Sequence, residues 1–236
     1  MNTVTTAERI EKATSEVPLL NESQKEALHL LDTSTKTRIQ AAETSDLIGV
    51  IAGIKPVAFL SNTEVNSELI ADIGIKCEPM TDGLFAASRD EHLNAKLKDT
   101  FLYEREEDGR MSFEGHRTIG KLLGYPESAT EYFIERFDTV FSEDELPVVI
   151  PRSTLDTPTE FFHQFILSPN NYQDEINTYI RPLEIAVKEL APHTYKFIEK
   201  EYRHQQTRKK MGAYLRPLLG MKPKEIRPGI STILVD

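Results

Sequence analysis

This sequence has a single cysteine, Cys77, and no tryptophan in 236 residues. One cysteine excludes an internal disulfide and every cysteine-rich zinc site, because each needs more than one sulfur. No run of about 18 apolar residues occurs, so no transmembrane helix is expected. The opening stretch carries Glu8, Glu11 and Glu16 and lacks the basic start and apolar middle of a secretory signal. A soluble cytoplasmic protein with no membrane partner is the expectation. A Gly-x-Ser-x-Gly elbow is also missing, which argues against a hydrolase of that type.

What is present is charge, unevenly placed. The 28 Lys+Arg and 38 Asp+Glu give a net charge of −10. From Lys196 to Asp236 there are ten basic residues against four acids, a local net of +6, so the other 195 residues carry −16. Such a segment is an electrostatic footprint for nucleic acid, or a clamp onto an acidic body. The candidate phosphate contacts are Arg203, Arg208, Lys209, Lys210 and Arg216.

Local signals give a coarse organisation. Thr5 to Glu8 and Asn21 to Gln24 have capping-box spacing, and Thr44 to Ala52 reads as a third helix. Val57 to Leu60 and Ile75 to Glu78 read as strands on either side of a helix that starts near Ser61 and ends at Gly74, a strand–helix–strand unit. Leu84 to Ser88 and Thr100 to Glu104 are further strand candidates around a short helix at 91–97, and Val148 to Ile150 is the last. A charged turn covers Arg105 to Arg110. Two helices follow, one stopped by Gly124-Tyr125-Pro126 and one capped by Ser128 and Glu131. Thr157-Pro158-Thr159-Glu160 marks the strongest helix start, Pro182 should kink or split a later helix, and Pro192 separates that helix from another. The stretch 101–165 holds 11 of the 19 Phe and Tyr residues, which places the expected main core there.

Several constellations could carry chemistry. Gly115 to Lys121 matches the first seven positions of a phosphate-binding P-loop, but Leu122 stands where a magnesium-binding hydroxyl is needed. Glu-x-x-His occurs at Glu26/His29, Glu160/His163 and Glu201/His204, the pairing a di-iron helix bundle uses. Glu26/His29 and Glu160/His163 fall opposite their helices' apolar faces, so surface pairs are the favoured reading. Cys77 reads as a small hydrophobe in a strand rather than a nucleophile. Pro151 to Thr157 leads from a strand into a helix start, where free N–H groups and the helix dipole favour an anion and Arg152 could add a bidentate contact.

His116 to Phe133 contains Leu-Gly-Tyr-Pro, and with Pro151 to Asp156 it resembles an uncharacterised, mainly archaeal family that carries this motif. That family usually follows the motif with cysteines. Here Ser128-Ala129 stand at those places, and Arg152 and Asp156 hold the later cysteine-like positions, so no metal or redox role carries over. The resemblance implies that the helix at 112–124 and the segment at 151–156 share one neighbourhood.

The resulting expectation is an α+β protein with a small mixed sheet of about five short strands over roughly 55–150, covered by helices, and a helical C-terminal part. Its divisions are N-terminal helices (1–52), an α/β core (53–152) and a helical part with a basic end (153–236). The leading functional reading is a non-catalytic or accessory binding protein. Its cleft for a small anionic ligand would be formed by His116, Arg117, Tyr125 and Arg152, with no metal or organic cofactor. Nucleic-acid binding through the basic segment, and then a di-iron carboxylate enzyme, are the alternatives, and a homo-oligomer is left open.

Overall fold

The computed structural model describes residues 20–61, 67–81, 83–107, 109–136, 149–151, 159–162, 165–204 and 233–235, with backbone alone at 149–151, 160 and 233–235. Two reciprocal capping boxes start its first helices. Asn21 and Gln24 open α1 (Glu22–Ser34), as their spacing indicates, and Thr37 and Gln40 open α2 (Arg38–Ile51), six residues before the expected start. α1 buries Ala27, Leu28 and Leu31 on one face. α2 is buried almost all round, from Ala41 through Ile51, and so lies at the centre of the fold. The capping signal at Thr5 falls outside the described residues.

The sheet has three strands, β1 (Ala58–Ser61), β2 (Lys76–Thr81) and β3 (Leu84–Ser88), in the order β1-β3-β2 and wholly antiparallel. The expected strand–helix–strand unit is present, with α3 (Ser67–Asp72) between β1 and β2. Its two strands do not pair, because β3 folds back from β2 and inserts between them. The sheet is therefore antiparallel rather than mixed. The signal for this return is Asp82-Gly83, a hairpin dipeptide whose glycine takes φ 82°. Thr100 to Glu104 is not a strand: it ends α4 (Glu91–Tyr103), whose Leu93, Leu97 and Phe101 recur every four residues. β4 (Val149–Pro151) forms as expected but lies apart, pairing in parallel with β5 (Ile233–Val235).

Alternation along the strands sends side chains to two cores. Val57, Phe59, Leu84 and Ala86 join Leu97, Leu122 and Leu123 on one face. Ala58, Leu60, Phe85 and Ala87 join a larger cluster with α1, α2, Ile70, Ile73 and Ile75 on the other. That cluster, not the aromatic stretch 101–165, is the main described core, and Phe162 is its only fully buried member from that stretch. Aromatic content measures the area available for burial, but Tyr103 and Phe113 are exposed while the regularly spaced aliphatics of α2 fill the centre.

α5 (Phe113–Leu122) begins at the Ser112 cap and ends at Gly124, φ 76°, where the Gly124 and Tyr125 N–H groups donate to the Lys121 and Gly120 carbonyls. α6 (Glu127–Glu135) starts without a side-chain cap, and Ser128, expected to cap it, donates to Glu175 at 2.6 Å. Thr159–Phe162 is a 3-10 turn rather than the start of an α-helix, and Thr159 donates to Glu184; Thr157 and Pro158 lie outside the described residues. Pro182 does not split its helix. α7 (Tyr172–Glu175) runs through a π turn at Ile176–Ile180 into α8 (Arg181–Leu190). A proline has no N–H and crowds the carbonyl four residues back, and the wider turn accommodates both defects.

α9 spans 192–204 within the described residues and belongs to the helical C-terminal part. Its N-terminus is capped from far away in the sequence. The buried carboxylate of Asp32 accepts from Thr194 N–H at 2.7 Å and His193 N–H at 3.0 Å, while the Thr35 and Thr194 hydroxyls meet at 2.8 Å. Replacing Asp32 by alanine leaves the buried Thr194 N–H and the part-buried His193 N–H without their acceptor. Asp32→Ala should lose about 1–3 kcal/mol in urea unfolding; a loss below about 0.5 kcal/mol, the usual size for an uninvolved surface site, would refute this role.

Candidate functional site

His116 and Arg117 stand on α5, which the sequence makes unusually close-fitting. A Cβ at Gly120 would lie 2.5 Å from Thr130 Oγ1, and one at Gly115 would lie 2.9 Å from Met111 Cγ. The glycines that match a P-loop therefore sit inside a helix and let α6 and the 104–111 segment approach it. They do not form a phosphate-cradling loop.

The His116 ring packs edge-on against Phe133, with centroids 5.2 Å apart. Burial, and then the nearby Arg105 charge, lower its pKa, so the imidazole is neutral at neutral pH. Arg117 turns the other way. Its guanidinium makes a bidentate pair with Glu131, at 2.7 and 3.0 Å, and lies 3.6 Å from Glu114. Tyr125 goes inward, its ring 5.2 Å from Phe165 and 6.0 Å from Tyr179. Burial and the Asp46 charge push its hydroxyl pKa well above the usual tyrosine range. The three thus occupy an aromatic contact, a surface ion pair and the core. Arg152 lies outside the described residues, as does Asp156.

The structure reveals a charged site that sequence reading missed. Lys55 is 1% exposed and pairs with Asp46, 13% exposed, at 2.7 Å. The turn that delivers it hangs on one carbonyl, since Ile54 and Lys55 N–H both donate to Gly49 O. Gly49 also makes room for the lysine stem, because a Cβ there would lie 2.8 Å from Lys55 Cγ and Cδ. The Lys55 ammonium is 5.9 Å from the Tyr125 ring centroid. Tyr179 is buried close by, and its hydroxyl has no hydrogen-bond partner among the described residues. The available signal was a lone charge: Lys55 is the one charged residue between Leu47 and Leu60, with Asp46 at the border. So enclosed a pair holds elements together rather than receiving a ligand.

Other carboxylates act alike, Glu43 and Glu175 buried and Glu184 half-buried. Glu43 accepts from Ser61 N–H at 2.7 Å and from its hydroxyl. Glu175 accepts from Ser128 Oγ, Ser168 Oγ and Ser168 N–H at 2.6 to 2.8 Å. Glu184 accepts from Thr159 and Tyr195.

The basic segment offers a different surface. Lys196, Lys200, Arg203 and His204, together with Glu199, line an open groove of about 300 Å³ on α9. Their spacing puts them on one helix face. Arg203 is 3.9 Å from Glu199, whereas Lys196 and Lys200 form no ion pair with a described residue. Of the expected nucleic-acid contacts, Arg203 is described, and Arg208, Lys209, Lys210 and Arg216 lie outside the described residues.

The Glu-x-x-His pairs are dispersed. Glu26 and His29 are exposed on α1, and Glu201 and His204 are on α9, while His163 and the Glu160 side chain lie outside the description. Among the described residues no three His, Cys, Asp or Glu side chains gather as a metal set. Cys77, read as a small buried hydrophobe, is exposed on β2. Partial desolvation of its sulfur raises the thiol pKa, which lowers its reactivity. No described helix is long and apolar enough to cross a membrane. No family model, no curated protein and no solved structure matches this chain.

Two predictions follow from these environments. Lys55→Met should cost about 3 kcal/mol by removing the cation 2.7 Å from Asp46, and adding Asp46→Leu should recover most of it. Equal stability of the single and double variants in urea titrations would show that the pair does not hold the fold. His116 has a folded pKa below its unfolded value, so its contribution is fully present above about pH 6.5 and is lost as pH falls from there through the lower folded pKa. Between pH 7.5 and 5.5 the parent should therefore lose more stability than His116→Gln; parallel losses would remove His116 as the cause.

Proposed function

We propose that this is a non-catalytic binding protein for nucleic acid, with α9 and the basic sequence that follows it as its phosphate-contacting surface. The observation that carries this reading is the alignment of Lys196, Lys200, Arg203 and His204 along one open groove. Lys196 and Lys200 have no acid partner among the described residues. Lys196 and Arg203 are about 10 Å apart along the helix axis, at about 1.5 Å per residue. That span suits several phosphates of a strand whose charges repeat about every 3.4 Å. In sequence the cations continue through Arg208, Lys209, Lys210 and Arg216. The −16 on the other 195 residues sets the orientation, because a polyanion is drawn to the basic face and repelled elsewhere.

On this reading anion recognition belongs to a helix surface rather than to the neighbourhood of His116. A small-anion site there would need Arg117 to leave its bidentate partner, and a neutral His116 adds no attraction for an anion.

The test is fluorescence anisotropy with labelled single-stranded and duplex oligonucleotides over a salt series. Non-specific binding in the micromolar to 100 µM range is expected, weakening steeply with salt. Reversing Lys196, Lys200 and Arg203 to glutamate should weaken it further and flatten the single-strand salt slope by about 2, at roughly 0.7 per phosphate contact. No binding at low salt, or binding indifferent to salt, would dismiss the reading.

A further inference from the structure

Folding leaves two large aromatic side chains in water. Tyr103 is 75% exposed and Phe113 48% exposed, at opposite ends of the connection between α4 and α5. That connection is tightly built. Arg105 bridges Met111 in antiparallel fashion, Ser112 N–H donates to Glu104 O at 2.9 Å, and Glu106 N–H donates to Arg110 O at 2.7 Å. These bonds hold the end of α4, where Tyr103 is the last residue, beside the start of α5, where Phe113 is the first. Both rings are thus presented from helix ends whose separation is set by backbone hydrogen bonds.

The surroundings are acidic. Residues 103–114 hold five acids and two arginines. Glu104, Glu106 and Glu107 are exposed and form no ion pair with a described residue, and Glu114 is 73% exposed. Arg105 does not neutralise them outwardly. Its guanidinium donates to the Phe101 and Gly109 carbonyls and lies 5.5 Å from the Phe101 ring centroid. Solvent therefore meets two exposed rings on a connection whose charge balance, five acids against Arg105 and Arg110, is acidic.

We propose that this face docks a cationic segment of a partner protein, whose apolar anchor residue lies against Tyr103 and Phe113 while its Lys or Arg side chains meet Glu104, Glu106 and Glu107. Exposed aromatics on a firm scaffold are the usual anchors of such contacts. Opposite charges at the rim select the partner and speed the encounter. A nucleic acid could stack bases on the same rings, but its phosphates would meet the carboxylates. A second copy placing this face against itself across a two-fold axis would oppose like charges.

The experiment uses the full chain and a short labelled peptide with a central tryptophan flanked by lysines. Saturable anisotropy is expected, weakening with salt. Tyr103→Ser/Phe113→Ser, which keeps every charge, should weaken it by about tenfold or more. Because both rings are exposed, the far-ultraviolet circular dichroism should be unchanged. Glu106→Gln/Glu107→Gln leaves the rings in place and should weaken binding and flatten its salt dependence, a second reading should the first variant fail to fold. Oligonucleotide binding should be unchanged in the aromatic variant, which separates this face from α9. Absence of peptide binding would overturn the proposal. So would equal binding by the parent and the aromatic variant, which reduces the effect to bulk charge. Self-association in sedimentation that the aromatic variant abolishes would also overturn it, by assigning the face to a second copy.

Discussion

The ammonium of Lys55 has to be matched inside the protein, and much of the architecture follows from where that happens. Desolvating an ion costs several kcal/mol, which a carboxylate at 2.7 Å offsets only if neighbouring elements hold both groups in place. α2 supplies Asp46, and the missing Cβ of Gly49 lets the lysine stem pass against the same helix. The end of α5 then closes over the turn. Gly124 must be glycine on two counts, its φ of 76° and a Cβ that would lie 2.8 Å from Ile54 O. Tyr125 follows it, and its ring touches both hydrophobic cores. The next backbone contact, Val57 N–H to Leu122 O at 3.0 Å, starts β1. One buried charge is thus tied to the junction between the sheet and the helices on its two faces.

The acidic residues divide into two populations. Asp32, Glu43, Asp46 and Glu175 are wholly or largely buried and accept hydrogen bonds from helix ends, hydroxyls or Lys55. Each joins separate elements or turns, so these carboxylates act as ties within the fold. Glu104, Glu106, Glu107 and Glu114 face water instead. The net charge of the body therefore overstates its acidic surface, and what remains is concentrated enough locally to distinguish one face from another.

That distinction gives the molecule two unlike surfaces. α9 offers lysines without described acid partners, and the α4–α5 connection offers aromatic rings among carboxylates. Asp32 ties α9 to the body through its N-terminus, so the cationic face is carried on a docked helix with a defined direction. A phosphate chain and a cationic peptide would be attracted to different faces for the same electrostatic reason.

Much of the local structure is legible in the sequence, because it depends on neighbours within a few residues. The box at Asn21 and Gln24, the stop at Gly74, the strand Leu84 to Ser88 and the helix end at Gly124-Tyr125-Pro126 all form where local chemistry places them. Periodicity misled at Thr100 to Glu104, where a short apolar run suits a strand or a helix end equally. Strand order was only half legible: Asp82-Gly83 signals the return from β2 to β3, but no local pattern encodes the pairing of β3 with β1. The candidate site divides in the same way. Charge segregation and the basic stretch containing Lys196, Lys200 and Arg203 are properties of the sequence by itself. Tertiary structure alone decided that Arg117 meets Glu131, that Tyr125 turns inward to Lys55, and that Tyr103 and Phe113 stay in water. Those outcomes depend on which distant side chains arrive at the same place, and packing, not spacing, determines that.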